Sequence, residues 1–118
     1  MATAVKRKLT GSTDGKGIKI TQTATAGDAI HTAVAGTTAG TFDEIYLYAA
    51  NNHTADVTLT VEFGSADTEN NFIVDIPYKA GQIPVLEKLI LQNEATVKAF
   101  ASVANVVTIH GYVNAITD

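Results

Sequence analysis

The stretch Asp56-Val57-Thr58-Leu59-Thr60-Val61-Glu62-Phe63-Gly64 decides the fold. On an extended backbone Val57, Leu59, Val61 and Phe63 point one way, and Asp56, Thr58, Thr60 and Glu62 point the other. A period of two held over eight residues predicts a strand with one dry face and one wet face. Upstream, Glu44-Ile45-Tyr46-Leu47-Tyr48-Ala49-Ala50 repeats the pattern, with Ile45, Leu47 and Ala49 on one face and Tyr46 and Tyr48 on the other. The intervening Asn51-Asn52-His53-Thr54 are turn formers, so the two runs predict a β-hairpin.

Working outward, Phe72 to Tyr78 alternates around Asp75 and meets Pro77, which predicts an edge strand or a strand end. Val97 to Val103 alternates again. The last strand is predicted over Val106 to Ile116, with Val107, Ile109 and Val113 facing one way and Thr108, His110, Tyr112 and Asn114 the other. Gly111 within it marks a bulge or a close backbone approach. Ala4 to Thr10, Gly17 to Thr23 and Ala29 to Ala35 read as short strands, and Asp14-Gly15 between the first two is a hairpin signal. Residues 84–93 stay open: Val85, Leu86, Leu89 and Ile90 approach helical spacing behind Pro84, while Leu89-Ile90-Leu91 also reads as a buried strand. The sum predicts an all-β, antiparallel sandwich or jelly-roll-like barrel of about eight short strands, with at most one short helix. It forms a single domain over residues 1–118, with residues 1–10 as a possible N-terminal arm.

The chain has 118 residues, of which 46% are apolar and 17% charged. A domain of this size buries roughly 65% of its unfolded surface, enough for one core. Low charge argues against disorder and accompanies oligomers, which hide part of their surface. A net charge of −4 with one basic run, Lys6-Arg7-Lys8, does not favour nucleic acid. No run of ~18 apolar residues is present to cross a bilayer as a helix, and no apolar stretch follows the N-terminal charges as it would in a secretory leader. Cysteine is absent, which excludes disulfides, thiolate metal ligands and a cysteine nucleophile, and fits folding in a reducing cytosol.

The residue types for catalysis do not assemble in sequence. His31, His53 and His110 are too far apart for a paired metal motif, and each reads as a surface or interface histidine. Ser12, Ser65 and Ser102 lie outside any nucleophile elbow. Asp43-Glu44 flanks a strand start. Asp67 and Glu69 sit in a loop that reads as solvated, a cation site being the lesser alternative. Gly11, Gly15 and Gly17 lack the strand-to-helix context of a phosphate loop. No catalytic, cofactor-binding or metal residue is expected, and no small-molecule substrate. Tyr46 and Tyr48 admit three readings, in this order: the second face of a sheet buried on both sides, a subunit interface where tyrosine is enriched, or a sugar-stacking platform. His110 and Tyr112 belong to a similar face.

The stretches Phe42 to Tyr48, His53 to Gly64, Leu89 to Asn93, Val97 to Ala101 and Asn105 to Asn114, together with Val5 to Thr10, resemble small bacteriophage virion proteins. They span well over half the chain, and their motifs are structural. The sequence departs from that pattern around Gln82–Lys88, where Glu87-Lys88 replaces a more apolar turn. The resemblance implies a capsid decoration or cement protein: a β-sandwich, assembled in the host cytoplasm, that trimerises on the exterior of the phage head. It would stabilise contacts between major capsid subunits without enzymatic activity. Its partners would be further copies of itself and the major capsid protein, with no nucleic acid and no membrane. The expected contact residues are Lys6, Arg7, Lys8, Tyr46, Tyr48, His110 and Tyr112. The alternatives are a phage neck or tail subunit and, from another class, a carbohydrate-binding module.

Overall fold

The computed structural model describes residues 2–118. They form nine strands: β1 (Thr3–Lys8), β2 (Ile18–Lys19), β3 (Asp28–Thr32), β4 (Phe42–Asn51), β5 (Val57–Gly64), β6 (Asn71–Ile76), β7 (Ile83–Leu91), β8 (Thr96–Ala101) and β9 (Val107–Thr117). One 3-10 turn, Thr68–Asn70, interrupts them. The strands build two antiparallel sheets, one ordered β1-β9-β4-β7 with β2 also on β9, the other β3-β8-β5-β6. The protein is therefore an all-β sandwich rather than a closed barrel.

The sheets face each other through the rows that alternation picked out. Ile45, Leu47 and Ala49 of β4, Val57, Leu59 and Val61 of β5, and Val107, Ile109 and Val113 of β9 are all at most 1% exposed. Each fully buried branched side chain contributes roughly 1.5–3 kcal/mol of transfer free energy, so these rows hold the layers together.

Three expectations need correction, and one left open is decided. The runs around Tyr46 and Leu59 are not a hairpin, because β4 and β5 belong to different sheets. Asn51 makes the difference. Its side chain is fully buried, its Nδ2 donates to the carbonyls of Ala55 and Ile76, and its Oδ1 accepts from the amide of His53. These bonds bend the chain out of one sheet and into the other. Likewise the Asp14-Gly15 turn forms, with Lys16 N–H donating to Thr13 O and positive φ at both central residues, but joins no hairpin. β1 and β2 instead lie one after the other along β9, opposite residues 112–117 and 108–109.

Residues 83–91 settle as strand. β7 follows β4 with two register shifts, between Ile45 and Leu47 and between Leu47 and Tyr48, which slip the helix-like spacing of Leu86 and Leu89 onto a pleated surface. Lys88 takes a positive φ within the first bulge. Finally, the wet face of β5 is only partly wet. Glu62 is 2% exposed because the loop before β3 lies over it: Thr25 Oγ1 donates to one carboxylate oxygen at 2.7 Å and Gly27 N to the other at 2.9 Å. A Cβ on Gly27 would stand 2.3 Å from the Ala99 backbone, so only glycine allows this loop to lie so low.

Gly111 resolves to a close approach rather than a bulge. The β4–β9 register runs unbroken through it, and a Cβ there would lie 2.1 Å from Tyr46 O.

Candidate functional site

The outward rows of β1, β9 and β4 fall side by side. Glu44 is opposite Asn114, Tyr46 opposite Tyr112 and Tyr48 opposite His110. On the other flank of β9, Lys8 is opposite Tyr112 and Lys6 opposite Asn114. Six of the seven expected contact residues thus share one face: Lys6, Lys8, Tyr46, Tyr48, His110 and Tyr112. Arg7 does not. It pairs with Val113, an inward-facing residue, so alternation points it to the other side of β1.

Among the described residues no third layer covers this face, which overturns the reading of Tyr46 and Tyr48 as part of a doubly buried sheet. Both are half-buried, supported by their neighbours and open above. The rings of Tyr46 and Tyr112 stack with centroids 4.7 Å apart and planes 8° from parallel. Lys6 Nζ stands 4.7 Å from the Tyr112 centroid. Since β1 and β4 flank β9 on opposite sides, Tyr112 is held between a cation and a second ring. Such contacts are worth about 0.5–1 kcal/mol each at exposed sites.

The phenol ends are held as well. Tyr46 Oη donates to Glu44 Oε1 at 2.9 Å, and Asn114 Nδ2 donates to the same oxygen at 3.1 Å. These two donors, Asn114 first, hold the Glu44 carboxyl below its ordinary range, and the carboxylate in turn raises the Tyr46 phenol. Tyr48 Oη donates to Glu87 Oε2 at 2.7 Å, which with burial and the nearby negative charge pushes its pKa up to about 12. The rings are therefore fixed in place before any partner arrives, and little rotamer entropy remains to be lost on docking.

Beside the stack lies a hollow of about 430 Å³ lined by Tyr48, Ala49, Ala50, Gln82, His110, Gly111 and Tyr112. Gly17 approaches from the side; a Cβ on it would fall 2.6 Å from the His110 ring.

The other titratable groups lie elsewhere. His31 is not a surface residue: it is 3% exposed and bonded to Asp43 between the sheets. His53 is half-buried at the β4–β5 corner. The loop with Asp67 and Glu69 is bonded mainly to itself through Ser65 and Asn70. Among the described residues no group of three His, Asp or Glu side chains is placed to hold a metal ion. The sequence placed Asn114 on the face of His110 and Tyr112 but did not mark Glu44 or Glu87 as members of it. Glu44 could have been found by its parity with Tyr46 and Tyr48; Glu87 could not, because it lies within a register shift of β7.

No protein-family model, no curated protein and no solved structure matches the chain.

Proposed function

We propose that this chain is a virion structural protein of a bacteriophage, a capsid decoration protein that docks on the exterior of the head and stabilises contacts between major capsid subunits as a homotrimer. The observation that carries the reading is the uncovered, pre-ordered face of Lys6, Tyr112, Tyr46, Tyr48 and His110. Protein contact surfaces are enriched in tyrosine and mix apolar rings with fixed polar groups. The resemblance carried by Phe42 to Tyr48 and Asn105 to Asn114 points the same way. A cement protein acts through many modest contacts repeated over a lattice, which suits a rigid surface with both signs of charge.

The test is binding to heads assembled from the major capsid protein of the encoding phage. Wild-type chain is expected to co-sediment with them and to appear as dispersed threefold features by electron microscopy. Tyr112→Ala, which removes the middle of the stack, is expected to weaken binding about tenfold or more, as loss of an interface anchor does. Lys6→Glu is expected to loosen binding at moderate salt, with the difference from wild type narrowing as salt is raised. Failure of the wild type to bind heads overturns the reading. Binding only as closed rings at the portal or tail assigns the neck or tail role instead.

A second reading, a carbohydrate-binding module, is favoured by the hollow beside Tyr48. Its volume falls in the ordinary range for small-ligand sites, and Gln82 and His110 offer polar contacts. It does not favour Tyr46 and Tyr112 as sugar platforms, since each gives a ring face to the other. Glycan binding that disappears in Tyr48→Ala would establish it.

A further inference from the structure

A sheet edge exposes a row of unpaired amides and carbonyls, and proteins guard such edges with charge, proline, bulges or a covering segment. Among the described residues this sandwich has four edges: β1 followed by the two-residue β2 along one and β7 along the other in the first sheet, and β3 and β6 in the second. Three are guarded. β1 carries Lys6, Arg7 and Lys8 in succession. β7 carries Pro84 and two register shifts. The outer edge of β3 is taken up by the segment after β1, with Gly11 N donating to Ile30 O and Thr32 N to Thr10 Oγ1.

β6 is the least guarded: its one charge is Asp75, which accepts from Thr58 Oγ1 of its own sheet, and Pro77 comes only after the strand has ended. It runs in unbroken register with β5 for six residues, Asn71 to Ile76, with no lysine, no proline and no bulge. Of the five exposed large hydrophobics among the described residues, three lie on it or just after it: Phe72 at 37% exposure, Ile73 at 67% and Tyr78 at 59%.

We propose that β6 pairs antiparallel with β6 of a second copy, about a twofold axis through Ile73, joining two four-stranded sheets into one. The sequence of the strand argues for a copy of itself as the occupant. A twofold axis perpendicular to the sheet keeps each residue on its own face, so residues of like parity pair. With Ile73 on the axis, Asn71 lies opposite Asp75 of the second copy, and Phe72 lies opposite Val74 of the second copy. That sets amide against carboxylate and apolar against apolar, with no like charges opposed. With Val74 on the axis, Ile73 would face Asp75 of the second copy, a poorer match. The contact is small compared with a stable dimer interface, so the pairing is weak and concentration-dependent. It is independent of what the tyrosine face binds. Being isologous, it cannot close a trimer; it joins one closed ring to the next.

The chain contains no cysteine, which permits a direct test on all 118 residues. Directly opposed residues of an antiparallel pair have Cα atoms about 4.5–5.5 Å apart, within disulfide reach. Under mild oxidation Ile73→Cys is expected to form a covalent dimer about tenfold faster than Ile90→Cys, a 52% exposed position on the guarded β7. Ile73→Lys, which places two cations at the axis, is expected to abolish concentration-dependent sedimentation while leaving the thermal midpoint of the monomer unchanged. Equal cross-linking rates at positions 73 and 90, or an Ile73→Lys chain that self-associates like the wild type, overturns the proposal. So does preferential cross-linking of Ile73→Cys to Val5→Cys in a mixture, which would give the edge to β1 of another copy.

Discussion

His31 Nε2 stands 2.7 Å from Asp43 Oδ2, a bond between β3 of one sheet and β4 of the other with both side chains buried. The backbone amide of Thr10 donates to His31 Nδ1 at 3.1 Å. An amide can only donate, so Nδ1 is the acceptor and Nε2 carries the proton given to Asp43. Asp43 and Asn51 sit at the two ends of one inward row of β4, with Ile45, Leu47 and Ala49 between them. Each end reaches across to the opposite sheet.

Removing one partner of this buried pair strands the other. Asp43→Ala is expected to cost about 2–3 kcal/mol of stability through the unsatisfied Nε2–H. Asp43→Asn, which keeps an acceptor, should cost clearly less. Urea midpoints decide it, and equal losses in the two variants would show that the bond contributes nothing.

Asn51 satisfies two carbonyls and one amide at the corner between β4 and β5. Asn51→Leu is expected to destabilise by about 2 kcal/mol or more, because buried carbonyls lose their donors. Amide exchange at His53 should accelerate beyond the global effect. Unchanged protection at that amide would remove Asn51 from the corner's account.

The Tyr48 phenol should titrate late. Its ordinary value is 10.0 and the Glu87 carboxylate raises it to about 12. A raised value means that the bond supports the fold below pH 10 and is lost as pH passes through about 12. The tyrosine absorbance should therefore not rise in one step, and Glu87→Gln should remove the late part that belongs to Tyr48. A single shared tyrosine transition in the wild type would contradict this.

Asp28 works in the opposite direction. Burial acts to raise its pKa, but the Thr21 amide at 2.5 Å, the Thr21 hydroxyl at 2.8 Å and the Gln22 amide at 3.1 Å together bring it below 3.8. A lowered carboxyl supports the fold above its unfolded value, and that support fades as pH falls through the folded one. Asp28→Asn should therefore be less stable than wild type at neutral pH, with the gap closing in acid. A gap independent of pH would sink the assignment.

Alternation made the faces legible. Val57, Leu59 and Val61 went inward, and Tyr46, Tyr48 and Tyr112 outward, as period two requires. Parity also contained what was missed: Asp43 and Asn51 continue the Ile45-Leu47-Ala49 row, and Arg7 alternates away from Lys6 and Lys8. Sheet membership was not legible. A hairpin and a corner share the same turn formers, and only the bonds of Asn51 to Ala55 and Ile76 separate them. The Tyr46–Tyr112 stack was equally hidden, because it depends on β4 and β9 being neighbours across a long loop of chain.

β1 shows all six of its side chains to solvent. Backbone bonds to β9, the Lys6 contact with Tyr112 and the Lys8 bond to Ser12 O tether it; no side chain anchors it in the interior. Thr3–Lys8 is thus a ribbon that can peel away while every interior side chain stays where it was, at the low end of the range of local opening energies. What peeling uncovers is the flank of Tyr112.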